Sequence, residues 1–538
     1  MSHALDPDLL ARLAPDLRAA VEAQLRQALT AEAELRQHLE AENADLRARN
    51  ERLEHLVREF QRARFGPRSE KLHPDQMELA FEDIEVAIAT ATEEHDADAQ
   101  VRTGKRPPRQ PRGPRNLPKD LPREEQVIAP EDLTCPCGCG QMVQIGEDRS
   151  ERLDVTPAQF RVIVTIRPRY ACPRGRSGVA QAKPLPALIE GGLPTEALLA
   201  HVAVSKFSEH LPLYRQSQMM ARHGIGIDRS TLADWMGKVA FHLTPVVERI
   251  AEHMKGSGKL FADETTLPVL NPGAGKTKTG FLWVMARDDR PWGGTAPPAV
   301  VFTYAPGRGG AHAEEMLKGF EGVLQVDGYK GYDRLADGRR AEGAPLTLAF
   351  CWAHARRKLI DARPRAGSPL VDEALERIAA LYAIEKEIRG QQPDQRRSVR
   401  QERTVPLLED LHGWLKDQAA RISTKSELGT ALAYTLDHWD GLVLFAGDGR
   451  VEMDSNSIEN RIRPVTLGRK NALFAGHDEG GQSWARFATV IETCKLNGVE
   501  PYAWLKATLE AIAIGHPKAD IDALLPWNFG KAAVKAAA

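Results

Sequence analysis

Hydrophobic spacing changes three times along the chain. From Leu39 apolar residues return every seven positions, at Leu46, Leu53 and Phe60, with Asn43, Asn50 and Val57 falling four residues after the first three. This repeat predicts a helix over residues 1–65. Asparagine on the second seam fixes register in paired helices, so a parallel coiled coil and a homo-oligomer are expected, while an amphipathic helix packed on the protein's own body has the same spacing. Helical spacing returns in "LPLYRQSQMMARHGIGIDRSTLADWMGKVA", broken at Gly224 and Gly226, with Asp228 or Ser230 available to cap a second helix. That rhythm fits a helix-turn-helix contact with DNA or plain helix packing.

From Lys259 the pattern becomes that of strands. Strands are predicted at "KLFADETTLPVL", "GFLWVMARD" and "AVVFTYA", a helix at "AHAEEMLKGF", strands at "GVLQVDGY" and "LTLAFCWAH", and helices beyond Ala355. Three meandering strands, a helix, then further strands flanked by helices is the order of a ribonuclease-H-like fold. In that order the ends of the first and fourth strands are neighbours, which places Asp263 opposite Asp327. Successive strand residues face opposite ways, so Glu264 is expected to point away from such a site and to tolerate change.

Composition sets the scale. At 538 residues the chain exceeds one ordinary core, and three or four units are expected at roughly 150 residues each. A multidomain α+β architecture follows. Hydrophobic residues make up 42% and the formal net charge is −2, so any affinity for nucleic acid must come from local charge. Neither an apolar leader after Met1 nor an apolar run long enough to span a bilayer is present, and a cytoplasmic protein with no membrane partner is expected. Residues 66–125 include "VRTGKRPPRQPRGPRNLPKDLPRE", with eight Lys or Arg between Arg102 and Arg123 against one Asp. Such a stretch cannot bury a core and predicts a linker, either simply solvated or touching phosphates.

Cys135, Cys137, Cys139 and Cys172 lie in a segment, 126–190, with β character. Four thiolates can hold structural zinc, but the usual spacing is two C-x2-C knuckles; here three cysteines alternate and Gly175 stands three after Cys172. Zinc binding and a zinc-free fold both remain open. "GAGKTKTG" is not a phosphate-binding loop, because Leu270 stands where its first glycine belongs and a strand follows; Lys276 and Lys278 are expected on a hairpin tip near DNA.

Two aspartates hold a hard cation, but a pair of cations needs a further carboxylate. Glu459 in "EMDSNSIENRIRPVTLGRKNALFAG" supplies one. With Asn456 three residues earlier it would also make a good capping box. The cations Arg461, Arg463, Arg469 and Lys470 that follow favour a site for a metal-bound phosphodiester.

"ADET", "VDGYKGYDRL", "CWAHARRK", "NSIENRIRPVTLGRKNALFAG" and the ending "PYAWLKATLEAI…LLPWNF" together resemble the insertion-sequence family 66 transposases of bacteria; "RFGPRSEKL" and "GEDRSERLDVTPAQFRVI" extend the resemblance over almost the whole chain. The resemblance implies a DDE transposase whose metal-binding triad is Asp263, Asp327 and Glu459, with Mg2+ as the metal and Mn2+ as a substitute. It implies a catalytic region over 258–485 after a helical domain over 191–257, a helical insertion near 361–437, and a C-terminal helical region over 486–538. It also implies a zinc-finger-like module at the cysteines, a supporting role for Cys351 and His354 in a C-x2-H motif, DNA as partner, and small accessory proteins. A catalytically silent, DNA-binding scaffold is the alternative.

Overall fold

The computed structural model describes residues 117–530, less 118, 120, 157–158, 175–177, 272, 338–339, 341 and 364–367, together with Thr30, Thr90, Thr92, Glu93 and Ala97. The chain divides into two compact units, Met1–Gly66 and Pro67–Ala538, and the description below concerns the second. The expected coiled coil and most of the basic linker lie outside the described residues.

The first sheet has four strands: β1 (Arg123–Val127), β2 (Val143–Thr156), β3 (Gln159–Ala171) and β4 (Val179–Gln181). The central strand β3 pairs antiparallel with β2 along one edge; parallel β1 and antiparallel β4 share the other. Leu153, Val155, Val162, Val164 and Ile166 are buried and join the core of the following helices. These are α1 (Glu196–Phe207), α2 (Leu213–Arg222), α3 (Arg229–His242) and α4 (Thr244–Lys255). Thr195 caps α1 by accepting from the Leu198 amide. The break at Gly224 lies where the sequence predicts it, with Asp228 at the N-cap of α3. Leu232, Ala233, Trp235, Met236, Val239 and Ala240 bury α3 on most of its circumference. A helix apolar all round is a core helix, so the central turns of α3 serve packing.

The second sheet is formed by β5 (Lys259–Asn271), β6 (Lys276–Arg287), β7 (Ala299–Ala305), β8 (Val323–Val326) and β9 (Thr347–Phe350), in the order β7-β6-β5-β8-β9. Pairing is antiparallel across β7, β6 and β5 and parallel across β5, β8 and β9. The short α5 (Gly310–Met316) precedes β8, and α6 (Asp333–Ala336) follows it. The predicted strand at "LTLAFCWAH" stops at Phe350, and Cys351 is instead the N-cap of α7 (Trp352–Asp361).

Helices α8 (Pro369–Ile388), α9 (Pro393–Val399), α10 (Val405–Ala419), α11 (Glu427–Asp437) and α12 (Trp439–Gly447) come between α7 and the last three helices of the chain. They enclose a separate core around Leu381, Leu411, Leu442 and Phe445, tied to the sheet through Ala349 and Trp352. Arg396 and Arg400 are fully buried here; both pair with Glu385, and Arg396 also reaches Glu452 at 2.7 Å. A buried guanidinium is tolerated only when paired in this way, so these bridges fix the helices onto the segment leading to Glu459.

Three helices close the chain: α13 (Asn456–Ala472), α14 (Asp478–Leu496) and α15 (Pro501–Ala513). One face of the sheet packs Phe261, Leu267, Val269, Leu282 and Val284 against Ile458, Ile462 and Val465 of α13 and Ala485 and Ala488 of α14. The edge strand β7 is covered by α14, where Thr489 and Thr493 hydroxyls accept from the Phe302 and Val300 amides. An exposed strand edge invites pairing with other chains, and this contact removes it.

Candidate active site

Strand register builds the site. On the parallel pair β5 and β8, Phe261 lies opposite Gln325. Two residues further along both strands come Asp263 and Asp327, on the same face as that pair, because side chains repeat with period two and neighbouring strands run about 4.8 Å apart. The ladder stops at this pair, so the two carboxylates stand where the strands part. The Asp327 carboxylate accepts from the Tyr329 amide at 2.8 Å, and that of Asp263 from the Glu264 amide at 2.7 Å. Gly328 has φ +91°, and a Cβ there would come within 2.5 Å of the Tyr434 hydroxyl, which donates to the Asp327 carbonyl. Only glycine suits this turn.

Asp263 faces the layer occupied by α13, and Glu459 stands in the first turn of that helix. Burial pushes the Asp263 carboxyl up to about 8, and like charge on Asp327, Glu264 and Glu459 adds to the rise. The charged form of the Asp263 carboxyl is therefore disfavoured where it stands, a position that a bound cation would relieve.

Glu459 has nitrogen-bearing neighbours on α7: its Oε1 lies 3.7 Å from His354 Nε2 and its Oε2 lies 3.7 Å from the Arg357 guanidinium. Glu459 Oε1 and His354 Nδ1 are buried without a hydrogen-bond partner among the described residues. One ligand atom each from Cys351, His354 and Glu459 lie within 4.8 Å of one another, a closeness that the set Asp263, Asp327 and Glu459 does not have. Cys351 Sγ also accepts from the Ser455 amide, pinning the start of α13 to the start of α7. Asn456, expected as the cap for α13, is its first residue; Ser455 stands at the cap and makes no side-chain capping bond. The capping-box account of Glu459 thus loses its partner.

Glu264 occupies the opposite face, as alternation demands, but it is not idle. Its side chain is 1% exposed, pairs with Arg308 at 2.6 Å and accepts from the Tyr332 hydroxyl at 3.0 Å. Arg308 in turn lies over the Tyr329 ring at 3.9 Å. These bonds argue against the expectation that Glu264 tolerates change. Arg308, Tyr329, Tyr332, Arg357 and Asp454 were not picked out from sequence. Tyr329 and Tyr332 fall in "DGYKGYD" directly after Asp327, a visible signal; Arg308 carries none.

The expected DNA-contacting cations divide. Arg463 and Lys470 are exposed on α13 and Arg461 is half-buried. Arg469 is folded onto β5, donating to the Thr266 carbonyl and hydroxyl and to the Thr265 hydroxyl, and burial lowers its pKa. Lys276 and Lys278 belong to strand β6 rather than to the hairpin tip; Lys276 is exposed, and Lys278 pairs with Asp478 at 2.7 Å.

The four cysteines of the first sheet converge despite their spacing. Cys135, Cys137 and Cys139 curl through a tight hairpin closed by Cys135–Gly140 and Thr134–Gln141 pairing, with Gly138 and Gly140 at positive φ. Cys172, just after β3, meets them, and Sγ–Sγ distances of 3.1, 3.5 and 3.8 Å link the four. Sulfurs around tetrahedral zinc stand about 3.8 Å apart. Hydrogen bonds with the neighbouring thiols, that of Cys137 first, raise the Cys139 pKa.

Comparison with known proteins accords with this layout. The description "Transposase IS66 family" matches residues 191–483, "IS66 C-terminal element" 489–527, "zinc-finger binding domain of transposase IS66" 132–174 and "Transposase C of IS166 homeodomain" 52–125. Zinc binding at the four cysteines is supported by the third match and by their geometry. Among similar chains, uncharacterized protein y4qI of Sinorhizobium fredii is 44% identical over 521 residues, covering 95% of this chain and 94% of its own. Uncharacterized protein y4jD of the same organism is 44% identical over 492 residues, covering 90% and 94%. With one match spanning more than half its length and such relatives covered almost end to end, the chain belongs to the IS66 transposase family.

Proposed function

We propose that this protein is a DDE transposase that cuts DNA at the ends of its element and joins the freed 3′ hydroxyl to target DNA. The observation that carries the reading is the register of β5 and β8, which sets Asp263 beside Asp327 on the face covered by the helix of Glu459. The order β7-β6-β5-β8-β9 supports a ribonuclease-H-like core. The donor set is all oxygen, which suits Mg2+, and like-charge repulsion at Asp263 together with the unpartnered Oε1 of Glu459 fits a cation ligated there. Bound Mg2+ would supply Lewis-acid stabilisation of phosphoryl charge and a more acidic attacking hydroxyl.

The chain's own residues do the rest. Asp263 and Asp327 fix the reacting centre at the end of rigid strands. Glu459 approaches from α13, its first turn held by Cys351 and by the Glu452–Arg396 bridge. Arg357 brings positive charge near Glu459, where a phosphodiester's oxygens need it, while Arg308 is engaged by Glu264 on the other face of the sheet. Glu459 must leave His354 and Arg357 to join the aspartates, a side-chain movement in the first turn of α13.

The test is cleavage of labelled element-end DNA by the full chain with Mg2+. The parent protein should release a 3′ hydroxyl, and Glu459→Gln should lose about a thousandfold in rate while still binding the DNA. Parental cleavage by Glu459→Gln would remove that residue from the site. At the cysteines, purified protein should carry about one zinc per chain, and Cys172→Ser should release it. Metal analysis that finds no zinc in protein prepared without chelator would refute the cysteine centre.

A further inference from the structure

The helix α7 has two faces with different fates. Trp352, Ala355 and Leu359 are buried in the core of the inserted helices. Ala353, Arg356, Arg357 and Ile360, at spacing i, i+3, i+4 and i+7, form a second stripe, of which Arg356, Arg357 and Ile360 are exposed among the described residues. This stripe lines an open cleft of about 450 Å3, whose other wall is Ala379 and Tyr382 of α8 and whose end is Asn456, the first residue of α13. Ile360 is 40% exposed there, and Arg356 is exposed with no ion pair among the described residues.

Position gives the cleft its meaning. Arg357, which lines it, lies 3.7 Å from Glu459, so the cleft borders the first turn of α13. Tyr382 and Asn456 share Asp454, which accepts from the Asn456 side-chain amide at 2.8 Å and from the Tyr382 hydroxyl, so the far wall is held in place by the segment leading into α13. Two guanidiniums beside an aromatic ring, an apolar side chain and two alanines that leave room between them make a surface of mixed character. Phosphodiester oxygens suit the first component, and the π-face of a base suits the rest. The volume lies in the range of small-ligand sites and is too narrow for a duplex.

We propose that this cleft holds one unpaired nucleotide of the DNA strand next to the scissile bond, its phosphate on Arg356 and Arg357 and its base against Tyr382 and Ile360. The inserted helices thereby form a single-strand site rather than a spacer. This rests on the reading of the protein as a DNA transposase and names a subsite of it. Charge complementarity between Arg356, Arg357 and a phosphodiester selects a nucleic acid strand over an apolar peptide as the occupant of this stripe.

The test measures binding without catalysis. Full-length protein carrying Asp263→Asn is titrated, free of Mg2+, into a labelled single-stranded tetranucleotide, and separately into duplex end DNA. Arg356→Glu should weaken tetranucleotide binding about tenfold or more, through lost charge attraction, and Ala379→Trp, which fills the cleft from an exposed position, should do the same. Lys386→Glu, an equal charge reversal elsewhere on α8, should change it less than twofold, and duplex binding should stay within about threefold in every variant. Tetranucleotide affinity that survives both cleft variants, or that falls equally in Lys386→Glu, or that is absent from the parent, overturns the cleft. Failure of the catalytic reading would show elsewhere, as end DNA left uncut by the parent with Mg2+, and would leave this binding result standing.

Discussion

The two faces of the five-stranded sheet meet at neighbouring residues, Asp263 and Glu264, and treat the same functional group in opposite ways. On the α13 face Asp263 has acids around it and one backbone amide. Glu264 on the other face has a guanidinium and a phenol hydroxyl, and is almost wholly buried. The first carboxylate is arranged to be unsatisfied and the second to be satisfied. One is kept reactive by its surroundings while the other holds the surroundings together, and strand alternation alone assigns the roles.

The largest expected effect separates the two by readout. Asp263→Asn should reduce strand cleavage about a thousandfold, since it removes a charged ligand from the reacting centre, and should leave folding intact. Glu264→Ala should act on folding, because it strands the buried Tyr332 hydroxyl and leaves Arg308 without its carboxylate. A loss of about 2–3 kcal/mol in denaturant unfolding is expected. If Glu264→Ala proved as stable as the parent, the back-face network would be incidental and the contrast would collapse; if Asp263→Asn cleaved normally, the front face would not be the site.

How much of this was legible depended on how far apart the partners lie. Period-two alternation from Lys259 predicts β5, and element order predicts that it neighbours β8, which the parallel ladder ending at Phe261 and Gln325 bears out. The partners of Glu264 are distant in sequence, since Arg308 lies in a loop after β7 and Tyr332 after β8, and no local pattern links a strand to either. The cysteines were obscured differently. Their spacing departs from two knuckles, yet left-handed glycines at 138 and 140 curl the hairpin tightly enough to bring alternating residues onto one side. The ends of short elements were also hard to see: "CWAH" continues an apolar run from β9, but Cys351 turns it into a helix. Arg469 and Lys278 read as free cations in sequence and are engaged with Thr265, Thr266 and Asp478, contacts set by the third dimension.

A further expected effect is a pH dependence carried by Asp263, although burial raises the Glu264 carboxyl as well. Burial first, and then charge on Asp327, lifts its carboxyl from 3.8 to about 8 in the folded, metal-free protein, whereas the unfolded chain keeps the ordinary value. A raised acid costs nothing below the unfolded pKa, where both states are protonated. As pH climbs from about 4 to about 8 the unfolded state sheds its proton and the folded state keeps it, so folding loses stability throughout that window, up to an upper bound on the order of 5 kcal/mol. Asp263→Asn has no proton to lose. In metal-free buffer it should therefore melt close to the parent at pH 4 and above it at pH 8, with the gap widening steadily between, while Glu264→Ala should melt below the parent at both ends. Adding Mg2+ should close the pH 8 gap by stabilising the parent alone. Melting curves for parent and Asp263→Asn that run parallel from pH 4 to 8 would show that Asp263 is solvated or already compensated, and the difference between the two faces would reduce to one of packing.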